Sequence, residues 1–517
     1  MPDARLNAVA DLATPARLGV ILLVLLAAGV VLALLPSGER SADPREERPN
    51  VVVIMVDDQD AWSLRLMPKT ARKLVGQGVT FERFFATLPL CCPSRATMLT
   101  GRYAHNHGVW SNDSDGLDFN APTDLPIALQ AAGYRTAWVG KYLNLYGREP
   151  ATKRVIPEGW HRWSASVAAS DESTWASRWG SAFHRMFGYQ LNHNGRIRKY
   201  EGSPREYQTD VLARRAAREI RNSATRQEPF FTVLSLLAPH GETSSQIAPV
   251  NPRPAPRHEG RFQDRKLREV PSFNERNVRD KPPFLRNRSI DRERRLEIQA
   301  TFRSRLGGLL AVDDAVNRIV ETLRRAGELR DTYVVYWSDN GYMQGEHRQR
   351  GKAELYEESA RVPLIVRGPN VPRGEVRTQV VGNIDLASTI LDIGQADDLL
   401  RRLDGESLLP YLRSARHRAD RAILLENRDS DGIRTRRYVY IEHHPERSRV
   451  QWYELYDLRH DPYQLKNLIG PGDTSTRANL PDGVDPDEVR EVRARLKSGL
   501  DRLRDCKGEA QCAWSFP

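Results

Sequence analysis

The run "VVVIMV", Val51 to Val56, is the feature that most limits what this chain can fold into. An unbroken β-branched apolar run is the pattern of a strand covered on both faces, as in a parallel sheet packed between helices. Comparable runs recur at "TAWVG", "FFTVLSLLA", "TYVVYWS" and "VPLIVRG". They alternate with helix-periodic stretches such as "TARKLVGQG", "LPIALQAAG", "DVLARRAAREIRNS" and "LLAVDDAVNRIVETLRRAG". That alternation predicts an α/β fold with a central, mostly parallel sheet flanked by helices. From about Arg413 the pattern changes to short strands and turns, "RAILLEN", "RRYVYIEH" and "YELYDLRHDPYQLKNL", followed by a helix and a tail. A smaller C-terminal α+β subdomain is expected there.

The other boundaries follow from composition. "LGVILLVLLAAGVVLALL", Leu18 to Leu35, has the length and apolar character of a membrane-spanning helix. It exceeds the usual core of a signal peptide and no small-x-small site follows closely, so an uncleaved anchor is favoured over a removed signal. The proline-containing, charged stretch 36–49 reads as a stalk. The expected plan is therefore a short segment 1–17, a transmembrane or signal-anchor helix 18–35, the stalk 36–49, a large domain 50–412, and the C-terminal subdomain and tail 413–517. With one N-terminal span, everything after Leu35 lies on one side. Export is the ordinary reason for such a segment, so the protein is expected to be membrane-anchored with its large domain extracytoplasmic, or secreted if the segment is cleaved.

The net charge of +11 is spread in mixed clusters of Arg, Glu and Asp. No concentrated basic patch with interleaved aromatics appears, so nucleic acid is not an expected partner, whereas anionic substrates remain compatible. A basic, proline-rich stretch, "NPRPAPRHEGRFQDRKLREVPSFNERNVRDKPPF", separates His240 from Ile290 and reads as a long loop or lid over the active-site edge.

In an open α/β sheet, functional side chains gather beyond the C-terminal ends of the strands. Here the first strand runs into Asp57 and Asp58, "TAWVG" into Lys141, "FFTVLSLLA" into Pro239 and His240, and "TYVVYWS" into Asp339 and Asn340. Asp57, Asp58, Asp339 and Asn340 all offer oxygen, which suits a hard divalent cation, Ca2+ or Mg2+, better than zinc. Any one acidic pair is equally a helix cap or a solvated turn; it is convergence at two strand ends that favours a metal site.

"LPLCCPSRATMLTGRYAHNH" adds a second element. Pro93 fits the first turn of a helix and Gly101 its close, which puts Cys91 at a helix N-terminus that favours an anion, with Arg95 one turn along. The plain alternatives are a buried thiol pair or one partner of a disulfide.

Cys91, Pro93, Ser94, Arg95, Leu99, Thr100 and Gly101 resemble the signature of the type I sulfatases, in which the cysteine two before the proline is converted to formylglycine (3-oxoalanine). The resemblance extends over nearly all of the chain after the stalk. "VDDQD" and "SDNG" resemble the family's two metal motifs, "GKYLN" its lysine motif, "APH" its histidine motif, "GKAELYEESARVPLIVRGP" the segment carrying its second lysine, Lys352, and "ELYDLRHDPYQLKNL" its C-terminal signature. "LCCPSR", "HNH" and "GKYLNLYG" are most similar to the branch of N-acetylglucosamine-6-sulfatases and heparan endosulfatases.

The resemblance implies an alkaline-phosphatase-like fold, with 50–412 as the catalytic domain, and hydrolysis of a sulfate ester on a sulfated small molecule or glycan such as N-acetylglucosamine-6-sulfate. It implies a formylglycine-generating enzyme as a partner and a divalent cation, Ca2+ in preference to Mg2+, held by Asp57, Asp58, Asp339, Asn340 and the modified Cys91. One hydroxyl of the hydrated aldehyde, deprotonated with help from Asp339, would attack sulfur, and the second would let sulfate be expelled. His240 and Lys352 would protonate the leaving alcohol, while Arg95 and Lys141 would neutralise the sulfuryl oxygens. One position departs from the family pattern: two residues after Lys141, where many members carry a histidine suited to triggering release, stands Leu143, followed by Asn144. His105, His107 or solvent are the alternatives for that role. Cys506 and Cys512 in "CKGEAQC" form either a disulfide, in keeping with an oxidising compartment, or two inert thiols. The rival readings are a phosphonate or phosphodiester hydrolase on the same scaffold and an inactive protein that binds sulfated glycans.

Overall fold

Successive residues of the first strand, β1 (Asn50–Val56), enter two different cores. Val51, Val53 and Met55 join an apolar cluster containing Trp138, Trp163 and Trp337, while Val52, Ile54 and Val56 join one built largely on two long helices. This is the two-faced burial that its sequence requires. The computed structural model describes residues 48–516 except 113–123, 145, 149–151, 168–183, 244–248, 397–402, 416, 418–419, 446–448, 470–479 and 481–483. From Arg48 onward the chain forms one compact unit.

The main sheet continues in chain order with β2 (Val79–Phe85), β3 (Arg135–Gly140), β4 (Arg162–Ser166), β5 (Tyr189–His193), β6 (Arg196–Tyr200), β7 (Phe230–Leu236), β8 (Thr332–Ser338), β9 (Leu364–Arg367) and β10 (Glu375–Gly382). Its ten strands run in the order β10-β2-β9-β8-β1-β7-β3-β4-β5-β6. The central five, β8-β1-β7-β3-β4, are all parallel, and antiparallel pairing is confined to the flanks. All five apolar runs singled out in the sequence are strands of this sheet. Because β1, β3, β7 and β8 are parallel neighbours, the residues after each emerge at one edge.

Helices cover both faces. α1 (Cys91–Thr100) packs on the tryptophan-rich side; α2 (Gln208–Ala224) and α3 (Arg292–Ala326) pack on the other. The long helix α3 begins well before its apolar repeat. Asp291 caps it, its side chain accepting from the Arg294 N–H, and Gly327 closes it at φ +82°. Its first turns, "RERRLE", are exposed and so carry no apolar stripe to mark them. Residues 249–290 hold only short helical turns and a two-residue strand, as their sequence suggests, yet Leu267 and Phe273 are buried against the α3 side of the core.

The smaller sheet is an antiparallel meander of β11 (Ile423–Glu426), β12 (Ser430–Arg434), β13 (Tyr438–His443) and β14 (Trp452–Asp457). A C-terminal helix, Pro486–Leu503, lays Leu496, Leu500 and Leu503 against Leu424, Ile433 and Tyr440. Cys506 and Cys512 are disulfide-bonded within that cluster. The span expected at Leu18–Leu35 lies outside the described residues, among which no helix is long and apolar enough to cross a membrane.

Candidate active site

Helix α1 begins at Cys91 after an extended Leu90, carries Pro93 in its first turn and ends at Gly101, whose φ of +64° suits the left-handed cap. The adjacent cysteines part company here. Cys92 joins the apolar core, and its N–H donates to Asn112 Oδ1 at 2.8 Å. Cys91 turns to the strand edge, where its thiol donates to Asp57 Oδ1 at 3.4 Å and accepts from Lys352 Nζ at 2.7 Å.

Around it stand three carboxylates and three cations. Lys141 Nζ donates to Asp57 Oδ2 at 2.6 Å, and Lys352 Nζ bonds Asp58 Oδ1 as well as Cys91. Arg95, fully buried, donates from Nε to Asp339 Oδ2 at 2.8 Å and approaches Asp57 Oδ2 at 3.2 Å. Its other amine is held by the Lys141 and Tyr142 carbonyls and Ser235 Oγ. Asp339 Oδ1 accepts the backbone N–H groups of Asp58 and Asn340, at 3.2 and 2.9 Å. Asp58 sits at φ +66°, a left-handed conformation that costs about 1–3 kcal/mol in a non-glycine residue. The Asp339 contact and a bond from Arg305 to the Asp58 carbonyl hold it there. His240 places Nε2 3.6 Å from Asp58 Oδ2, and its Nδ1 donates to the Gly241 carbonyl at 2.6 Å.

The electrostatics follow from burial opposed by neighbouring charge. Burial raises the pKa of Asp57, but Lys141, His240, Arg95 and Lys352 outweigh it and hold the group well below the usual range. Asp58 is likewise lowered, chiefly by Lys352 and His240 against burial. Asp339, buried beside the charge of Asp57, is pushed up to about 6 despite Arg95. Burial and Asp57 push the Cys91 thiol up to about 12, so unmodified Cys91 is a poor nucleophile. Lys352 is held well above its ordinary value, because Asp58, Cys91 and Asp57 overcome its burial. Burial lowers His240 despite Asp58 and Asp57.

Every strand-end residue named from the sequence thus reaches one cluster, together with Cys91, Arg95 and Lys352. His105 and His107 bond elsewhere: His105 to Glu426 and the Cys506 carbonyl, His107 to Thr97. Leu143 packs into the tryptophan-rich core. A different histidine, His184, stacks on His240 with ring centroids 4.5 Å apart and planes 12° from parallel. Sequence reasoning missed it, since "AFHRMFG" carries no motif and its partner stands far along the chain. Arg305, from the middle of α3, was missed for the same reason.

The site offers donors for a cation, two carboxylates with a thiol and an imidazole rather than oxygens alone. The donor atoms of Asp57, Asp58, Cys91 and His240 lie within 4.8 Å of one another. The buried Asn340 Oδ1 has no hydrogen-bond partner, an acceptor oxygen that a cation would satisfy. The ammonium of Lys352, wedged between Asp58 and Cys91, shows that the cluster attracts positive charge.

Comparison with known proteins agrees with this geometry. Residues 49–396 match the sulfatase family model, and residues 345–481 match the model of the N-sulphoglucosamine sulphohydrolase C-terminal region. The chain is 35% identical over 404 residues to the N-acetylglucosamine-6-sulfatase of Homo sapiens, covering 74% of this chain and 68% of that protein. It is 33% identical over 393 residues to the extracellular sulfatase SULF-1 homolog of Drosophila melanogaster, covering 74% of this chain and 33% of that protein. A solved structure of a protein in complex with its substrate D-glucosamine-2-N,6-O-disulfate aligns with a TM-score of 0.67 at 23% identity, covering 89% of this chain and 98% of that one. That likeness carries the fold, an alkaline-phosphatase-like α/β architecture. With the family model spanning most of the chain and its motifs meeting at one sheet edge, the protein belongs to the sulfatase family of sulfuric ester hydrolases.

Proposed function

We propose that this pocket hydrolyses the sulfate ester of a sulfated sugar of the N-acetylglucosamine-6-sulfate type. In this reading a formylglycine-generating enzyme converts Cys91, and a divalent cation, Ca2+ in preference to Mg2+, is held by Asp57, Asp58, Asp339 and Asn340. The observation that carries it is the position of Cys91 Sγ, 2.7 Å from an ammonium and 3.4 Å from a carboxylate at the head of a helix. The hydrated aldehyde supplies a nucleophilic oxygen and a second hydroxyl for sulfate release, and the cation supplies charge stabilisation.

The chain's own groups divide the remaining work. Three carboxylates balance Arg95, Lys141 and Lys352, so a bound divalent cation leaves the pocket with surplus positive charge that an anionic ester neutralises. Arg95 is engaged by Asp57, Asp339, two carbonyls and Ser235, so we assign it to orienting the two carboxylates from behind. Lys141 and Lys352 face the reacting end: Lys352 keeps its proton and is within reach of Cys91, which suits it to the leaving oxygen and the sulfuryl group. His240 spends its Nδ1 hydrogen on Gly241, so Nε2, beside Asp58 Oδ2, has a proton to pass to the departing alcohol only when the ring is the imidazolium.

We place the reaction outside the cytoplasm, with the protein anchored through residues 18–35 or secreted. The Cys506–Cys512 disulfide and the extracellular relative support that placement. The test is release of inorganic sulfate from a panel of sulfated sugars, aryl sulfates, phosphonate monoesters and phosphodiesters, using protein co-produced with the generating enzyme. Preference for the phosphorus esters would overturn the reading.

A further inference from the structure

Away from Cys91 a cavity of about 860 Å³ opens between the main sheet and the C-terminal meander. Seven arginines and four carboxylates line it. Several of these arginines are engaged: Arg434 and Arg361 share one carboxylate, Glu357, and Arg437 pairs with Asp457. Arg436 and Arg459 are different. They stand on the β12–β13 hairpin and on the turn after β14, and among the described residues neither is in an ion pair. Arg83 on β2 is crowded by like charge: its burial, with Arg434 and Arg436, lowers its pKa from the ordinary arginine value. A cavity that assembles guanidiniums in excess of its acids is short of anionic charge.

The cavity is not isolated. Glu357, Arg361 and Pro462 also line a narrower cleft that reaches Asp60 and Tyr342, each two residues beyond a proposed metal ligand. Trp62, Tyr342 and Tyr463 line that cleft with Arg268, whose guanidinium lies 5.3 Å above the Trp62 ring. The two spaces share Glu357, Arg361 and Pro462, and because the cleft sets four carboxylates, Asp60, Glu346, Glu357 and Glu358, against two arginines, the excess of guanidiniums is confined to the larger cavity. Guanidiniums without carboxylate partners suit a chain of sulfated sugars, whose sulfates take bidentate arginine contacts.

We propose that this arginine-lined groove is an exosite for a sulfated polysaccharide chain, so that the substrate is a polymer of which the pocket processes one unit. The proposal deepens the functional reading above, on which its second half rests; the groove's affinity is measurable without turnover.

The test uses full-length protein carrying Cys91→Ala, which removes catalysis, and a heparin octasaccharide titrated by calorimetry at several salt concentrations. Adding Arg436→Glu and Arg459→Glu should weaken binding at least about tenfold and lower the salt slope by about two, one for each sulfate left without its guanidinium. The thermal midpoint should stay unchanged, since neither side chain is in an ion pair. As a control, Arg214→Glu with Arg318→Glu reverses charge in a second basic groove, between α2 and α3, and should leave the octasaccharide affinity intact. Equal loss in both double variants would reduce the effect to general surface charge and overturn the proposal. So would undiminished binding in the first variant, or equal affinity for a desulfated octasaccharide or a DNA duplex of matched charge. If the octasaccharide binds as expected but no sulfated sugar is hydrolysed by active protein, the exosite stands and the catalytic reading falls.

Discussion

Arg95→Ala is the most informative single perturbation of the pocket. It removes the shared counterion of two buried carboxylates, Asp57 and Asp339, both fully shielded from solvent, and strands two carbonyls and Ser235 Oγ. Breaking a buried ion pair from one side costs about 3–5 kcal/mol, because the partner charge stays buried and unpaired. For a unit running from Arg48 to Pro517, an unfolding entropy of about 2.1 cal/mol/K per residue gives roughly 1 kcal/mol/K in total. The thermal midpoint should therefore fall by about 3–5 °C in chelator. Arg95→Lys keeps the charge but not the fork, and should lose roughly half as much. Added Ca2+ should raise the midpoint of Arg95→Ala more than that of the parent, since the cation replaces the missing positive charge. Calorimetry of the three proteins with and without Ca2+ reads all of this. A loss under about 1 kcal/mol in Arg95→Ala, or no difference between the alanine and lysine variants, would refute the claim that Arg95 holds the carboxylates.

Four further outcomes are expected. Chelation should lower both activity and the thermal midpoint of the parent, with Ca2+ or Mg2+ restoring them; at a hundredfold excess over Kd the stabilisation is about 2.7 kcal/mol, and no change would remove the metal site. Cys92→Ser should keep most activity, with peptide mass spectrometry finding the aldehyde on position 91. Burial and Glu358 push Glu346 up to about 7, so its folded pKa exceeds the unfolded one. The stability it allows is complete below the ordinary carboxylate range and is lost as pH rises toward 7; Glu346→Gln should flatten the midpoint between pH 5 and 7.5, by up to about 3 kcal/mol. His184→Ala should lower kcat while leaving the thermal midpoint near that of the parent, if its ring orients His240; equal kcat would limit the stack to packing.

What was legible beforehand was what local pattern encodes. Val51 to Val56 announced a strand covered on both faces, and the residues after four such strands had to share an edge once those strands were parallel. The resemblance divided the cysteine pair by role, choosing Cys91 two before Pro93, whereas the spatial division, Cys92 facing the core and Cys91 the charges, is visible only in the packing. Lys352 was found through resemblance, because no periodicity marks a loop lysine that reaches back to Asp58. His184 and Arg305 were invisible, since their importance lies in contacts with residues far away in sequence. That Leu143, at the position departing from the family pattern, is buried in the tryptophan-rich core is likewise seen only in three dimensions.

We propose that the chemistry begins at Cys91 and is directed at sulfate esters. The most direct test is time-resolved sulfate release from N-acetylglucosamine-6-sulfate by protein co-produced with the formylglycine-generating enzyme, with mass spectrometry of the Cys91 peptide from the same preparation. Many turnovers per site are expected, in proportion to the fraction of aldehyde at position 91, and none for Cys91→Ala. Sustained turnover by Cys91→Ala, or rates that do not follow the aldehyde fraction, would contradict the proposal.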